Sequence, residues 1–393
     1  MTEYDVAVVG LGVLGSAAAF HASLKGVKVL GLEQYDFGNV HGASHDTSRI
    51  VRTSYGSPEY VALARAAYRD WAHLEEKSGI EMLTITGGVV FFPKTVSKEE
   101  ATQVEAGAFA ESMTAREFVR SLNENNIPYE LLSSDEANAR WPQFNVPSGV
   151  DTVYTADSGI VHAARSVSAM QHQARAHGAV LKEHTRVDRL VPYPDGVLIE
   201  TSRGQFRAKK VILTPDAWAN HLLKPLGAEI PLTVMQEQVT YFKPEKPQQY
   251  APESFPVWIY AGSQYFYGFP TYGEPTIKVG QDMACNYMTP EERTFEPSPK
   301  ILENTERLTS SLIPGKGRAL RTVTCQYAIT PDRQFVISPL TDHKNIILGL
   351  GGGHAFKFAP AIGRVLAELA VDGKTDEDIS KFGIPKKAPA SKL

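Results

Sequence analysis

Residues 4–15 read YDVAVVGLGVLG. Tyr4 to Gly10 is a short β-branched, apolar run, the pattern of a strand buried on both faces of a parallel sheet. Gly10, Gly12 and Gly15 then form G-x-G-x-x-G, an Ala-rich helical stretch runs from about Val13 to Lys25, and Gly26 ends it. Val27 to Leu32 gives a second strand, closed by Glu33. Each part of this arrangement suits a dinucleotide. Gly10 permits the tight turn, Gly12 lets the backbone approach a pyrophosphate, and Gly15 allows close helix–strand packing. The helix N-terminus draws the anionic phosphates, and Glu33 can accept hydrogen bonds from ribose hydroxyls. The motif alone does not separate NAD from FAD. The segment that follows, GNVHGASHDTSRIVR over residues 38–52, favours a flavin. An NAD unit would run at once into its next helix, whereas this is a long polar loop carrying Arg49 and Arg52. Residues 44–71 read as largely helical, which would put the two arginines on one helix face.

The rest of the chain bounds the classes of function. Its 393 residues suggest about two or three domains. A hydrophobic share of 42% is that of a globular protein with a substantial core. The net charge of −4 argues against a nucleic-acid binder driven by bulk charge. Two cysteines, Cys285 and Cys325, exclude a disulfide framework and a Cys-based zinc cluster. His45 and His354 lack metal-ligand spacing to another His or Cys, so no metal site is expected. The first apolar stretch, Val6 to Phe20, is too short to span a membrane, and the acidic N-terminus is unlike a signal peptide. Ser391-Lys392-Leu393 matches the tripeptide that a peroxisomal import receptor reads, on a polar, Pro-containing tail.

Three later stretches are more specific than the glycine turn. Thr324-Cys325-Gln326-Tyr327 is followed by Thr330-Pro331-Asp332, and Ile346 to Gly353 (IILGLGGG) continues into His354-Ala355-Phe356-Lys357-Phe358-Ala359-Pro360. Together with SHDTSRIVR and the N-terminal motif, in colinear order from about Asp5 to Phe382, the chain resembles the monomeric sarcosine oxidase family. These are flavin amine oxidases acting on secondary α-amino acids, with pipecolate and fructosyl amino acid oxidases as relatives. The resemblance implies FAD joined through Cys325, with Gly10, Gly12, Gly15, Glu33, Ser44, His45, Arg49, Val187, Gly353 and Lys357 as cofactor contacts. It implies that Arg52 and Lys357 grip the substrate carboxylate, that Tyr267, Tyr327 and Gly353 line the site, and that Lys278 activates O2, which becomes H2O2. It further implies a monomer whose partners are a small amino acid and O2. One position departs from the sarcosine-specific pattern: Asp282 stands where those members carry His. Fructosyl amino acid oxidases carry an acid there, so the substrate's N-substituent stays open between methyl, ring and fructosyl.

The expected fold class is α/β: a Rossmann-type FAD-binding domain with a discontinuous substrate domain on a mostly antiparallel sheet, of the glutathione-reductase-like sort. Residues 1–85, 150–218 and 318–385 are assigned to the FAD unit. Residues 86–149 and 219–317 go to the substrate unit, and 386–393 form an exposed tail. Lys98 to Asn123 reads as polar helical material, Val161 to Gly178 as a helix, and Val180 to Asp188 as a strand pair.

Overall fold

The computed structural model describes residues 3–93 and 114–385. The opening motif folds as β1 (Glu3–Val9), α1 (Val13–Leu24) and β2 (Val29–Leu32). β1 lies in the middle of an eight-stranded sheet, parallel to β2 on one side and to the strand Gly204–Leu213 on the other. Ile346–Leu350 extends it, parallel to Gly204–Leu213. The buried runs of β1 and β2 have apolar material on both faces. One core contains Val6, Val8 and the helices Ala163–Ala176 and Ala359–Val371. The other contains Ala7, Val9, Leu30 and Leu32.

Two glycines make this turn possible. Gly10 has φ +87°, and a Cβ there would stand 2.6 Å from the carbonyl oxygen of Thr214. A Cβ on Gly15 would stand 1.8 Å from the carbonyl oxygen of Gly10, so the helix can approach the strand only without one.

A second eight-stranded sheet runs in the order Arg318–Ile329, Thr233–Lys243, Ile277–Asp282, Tyr265–Phe269, Val257–Ala261, Gly88–Phe92, Asp151–Thr155, Glu130–Leu132. It is antiparallel except where Val257–Ala261 meets Gly88–Phe92. Two of its strands, Asp151–Thr155 and Arg318–Ile329, fall in the sequence ranges assigned to the FAD unit. Ser48–Val51, Gly159–His162 and Leu83–Ile85 form a small third sheet.

The structure differs from the sequence reading in two places. Residues 44–57 are not helical. Ser48–Val51 is a strand paired with Gly159–His162, as the β-branched Ile50 and Val51 favour. The helix begins only at Pro58, where proline's fixed φ and missing N–H are harmless, and ends at Gly79, whose φ is +68°. Val180–Lys182 and Val187–Tyr193 are not a hairpin either: they occupy opposite edges of the first sheet. The second pairs instead with Gly196–Thr201. Most of the expected helix from Lys98 to Asn123 lies outside the described residues. The described part is helical from Ala115 to Glu124, opened by a Thr114/Glu117 capping box. Among the described residues, no helix is long and apolar enough to cross a membrane.

Candidate active site

A continuous cleft of about 1250 Å3 runs from the glycine turn to the second sheet. At one end Gly10 and Gly12 face it beside Glu33 and Val187. Glu33 is anchored by the N–H groups of Leu11, at 2.9 Å to Oε2, and Tyr35, at 3.1 Å to Oε1. Burial raises its pKa, and those backbone donors pull it back down. Ser44 Oγ accepts from Val13 N–H at 2.9 Å, which ties the polar loop to the first turn of α1.

The loop then delivers its charges. Arg49 is held by three backbone carbonyls, Ser48 and Ala43 at 2.9 Å and His45 at 2.8 Å. His45 lies on the cleft wall, buried, with Nε2 unpartnered. Burial, then Arg49, pushes its pKa down to about 4, so it is neutral. In the strand geometry Arg49 and Arg52 no longer share a face by helical spacing, yet both line the cleft. Arg52 donates to the carbonyl of Ser54, and its guanidinium carbon lies 4.3 Å from the centre of the Tyr55 ring.

Lys357 enters from the other side, on the short 3-10 turn Phe356–Phe358 that leads into Ala359–Val371. Trp71 Nε1 donates to its carbonyl at 3.0 Å and fixes that turn. Its Nζ donates to the carbonyl of His354 at 3.0 Å and has no carboxylate partner among the described residues. Burial, with Arg52 and Arg333 adding to it, lowers its pKa to about 7. Gly353 keeps this loop against the second sheet: a Cβ there would meet Ile329 at 2.4 Å and the Tyr327 ring at 3.0 Å.

Lys278 is built differently. It is 2% exposed and donates to Asp46 Oδ2 at 3.0 Å and to the carbonyl of Ser48 at 2.7 Å. Burial lowers its pKa to about 8 against the pull of Asp46. Burial also works against the Asp46 charge, but Lys278 and Arg49 overcome it, and the carboxyl stays well below its usual range. Tyr241 completes the cluster by donating its hydroxyl to Asp46.

Cys325 lies on Arg318–Ile329, two residues before Tyr327, so both side chains leave the same face. With Tyr267, Arg49 and Lys278 they wall a cavity of about 20 Å3. The thiol is free and buried, and burial pushes its pKa up to about 11 with Arg49 acting in the other direction. Burial pushes the pKa of the Tyr267 hydroxyl well above its usual value.

Asp282 lines the cleft, and Arg333 Nη2 donates to both of its oxygens, at 2.8 and 2.9 Å. Three charged groups were not singled out in the sequence. Asp46 and Arg333 sit inside or beside quoted motifs, SHDTSR and Thr330-Pro331-Asp332. Asp216 lines the cleft near the glycine turn with φ +48°, where burial raises its pKa to about 7.

Residues 5–369 match the model of the FAD-dependent oxidoreductase (DAO) family. The chain belongs to that family. It is 33% identical to a monomeric sarcosine oxidase from Bacillus sp. strain B-0618, over 98% of this chain and 97% of that one. It is 28% identical to the peroxisomal sarcosine oxidase of Homo sapiens, over 98% and 96%. A variant of NikD, an amino acid oxidase essential for nikkomycin biosynthesis, superposes over all of both chains with a TM-score of 0.87 and 25% identity. The protein is an FAD-dependent oxidoreductase, and its residues fit the cofactor. The turn is so tight that a Cβ at Gly10 or Gly15 would strike the carbonyl of Thr214 or of Gly10, Gly10 and Gly12 line the cleft, and α1 presents its N-terminus there with no acidic side chain in its first turn.

Proposed function

We propose that the protein is an oxidase of secondary α-amino acids, with N-methyl amino acids as the substrate class. The observation that carries this is the pair Arg52 and Lys357, brought to one cleft from distant parts of the chain. Lys357 is the decisive member, a half-buried ammonium on the cleft wall whose hydrogen bond within the protein goes to a carbonyl. A carboxylate placed between the two would neutralise it and take up the planar fork of Arg52.

FAD, bound along Gly10, Gly12, Glu33 and Val187, supplies the two-electron acceptor that oxidises the C–N bond and passes the electrons to O2 as H2O2. The chain's own residues do the rest. Arg52 and Lys357 hold the α-carboxylate, so the amine and its C–H groups have one orientation in the cleft. Their positive charge, with that of Arg333, lowers the amine's pKa and favours its reactive neutral form. Tyr267, Tyr327 and Gly353 wall the site and exclude water. Lys278 sets a fixed positive charge where negative charge would build up on oxygen. Cys325 is the attachment point for the flavin, and Arg49 is the cation that favours its thiolate.

Hydrolysis of the imine product would follow in water. The enzyme acts as a monomer in this proposal, and Ser391-Lys392-Leu393, outside the described residues, directs it to the peroxisome. The test is to purify the protein, precipitate it with acid and assay peroxide. A yellow pellet and peroxide from N-methylglycine support the reading. A colourless pellet removes the covalent link, and no peroxide from any N-methyl amino acid removes the function. A fluorescent fusion that reaches peroxisomes equally well without the last three residues would refute the targeting role.

A further inference from the structure

The charges around the substrate end of the cleft do not balance for a substrate with one carboxylate. Arg52, Lys357 and Arg333 all line it, and Asp282 is the acid that pairs among them. Glu237 is buried, accepts the N–H of Ala284 at 3.0 Å, and has its pKa raised to about 8 by burial and then by Asp282. Asp332 is exposed at the mouth, where its Oδ1 accepts the N–H of Gln334 at 3.1 Å. Among the described residues, then, three cations share one hydrogen-bonded acid, and an α-carboxylate supplies one negative charge.

Arg333 is the cation with unused capacity. Asp282 engages Nη2 alone, leaving Nε buried with no partner. Its backbone φ of +57° lies in the left-handed region, with its carbonyl close to the glycine loop before His354. Such a conformation persists only where surrounding contacts hold it. Asp282 thus fixes a guanidinium whose remaining donors suit a second planar anion.

We propose that Arg333, positioned by Asp282, is a specificity subsite for a second carboxylate, so that the favoured substrates are dicarboxylic secondary amino acids. This rests on the amino acid oxidase reading above and deepens it. The test compares kcat/KM on the holoenzyme for N-methyl-L-glutamate and iminodiacetate against N-methyl-L-alanine and N-methylglycine, with fructosyl-glycine as a neutral polyol. The diacids should be favoured on the order of 10- to 100-fold, as for hydrogen bonds to a charged group. Arg333→Gln should bring that ratio toward one. Asp282→Asn weakens the anchor that positions the fork and should lower it, by less than Arg333→Gln does.

Equal ratios in the wild type and Arg333→Gln, or fructosyl-glycine as the best substrate, would overturn the proposal. If Arg333→Gln fails to fold, Asp282→Asn carries the test, and a ratio that does not fall there overturns it. A second measurement needs no turnover: binding of glutarate against butyrate, read from the visible spectrum of the bound flavin. Tighter glutarate binding that Arg333→Gln abolishes supports the subsite, and equal binding overturns it. Peroxide from no N-methyl amino acid, together with selective glutarate binding, would instead sink the oxidase reading and leave the subsite standing.

Discussion

Two lysines of this site, Lys278 fully buried and Lys357 half-buried, are satisfied in opposite ways. Lys278 has a carboxylate, Asp46, at 3.0 Å and a carbonyl at 2.7 Å, so its charge is complete within the protein. Lys357 has one carbonyl and two neighbouring arginines that outweigh the pull of Asp282, so an anion from outside would complete its charge. Burying an ion is costly unless it is paired, so the second arrangement is one that a folded chain keeps for a ligand. Lys278 is a permanent local field, and Lys357 is, in the function proposed, half of a binding site.

That contrast can be broken most forcefully at Asp46. Asp46→Asn leaves Lys278 buried and unpaired. It should lower stability by about 3–5 kcal/mol, measured by denaturant unfolding of the holoenzyme. No loss would mean the pair is not the internal anchor described. Lys357→Met should act on activity instead. Losing one partner of the carboxylate grip costs about 2–5 kcal/mol, roughly 30- to 4,000-fold in kcat/KM for the amino acid. Stability should hold or rise, because the variant removes an unpaired charge.

Lys278→Met should spare reduction by substrate under anaerobic conditions. It should slow reoxidation by O2 by about 10²–10³-fold, the scale of losing one electrostatic stabiliser. Equal slowing of both halves would contradict its assignment. The smallest effect is in pH. Lys357 grips the carboxylate only when protonated, and its pKa is lowered to about 7. KM should therefore rise with pH above that value, by about 10-fold per unit at most. The rise should vanish in Lys357→Met.

The glycine turn was legible because each residue type there answers a local requirement of backbone and phosphate. Arg52 and Lys357 were legible only through their resemblance to a known pattern, since no spacing rule joins residues so far apart in the chain. The strand at Ser48–Val51 was missed because a four-residue strand has little periodicity of its own. Its partner, Gly159–His162, lies far along the chain. Asp46 and Arg333 were passed over for the same physical reason. A charge's role depends on what tertiary folding places opposite it, and here those partners come from Ile277–Asp282 on the second sheet.

The most direct test compares N-methylglycine with N-methylglycinamide, which presents the same secondary amine without the carboxylate. Peroxide formation should favour the acid by about 30-fold or more in kcat/KM, the equivalent of losing one buried charge pair. Turnover of the amide at the same efficiency would contradict the claim that Arg52 and Lys357 together hold the substrate by its acid group.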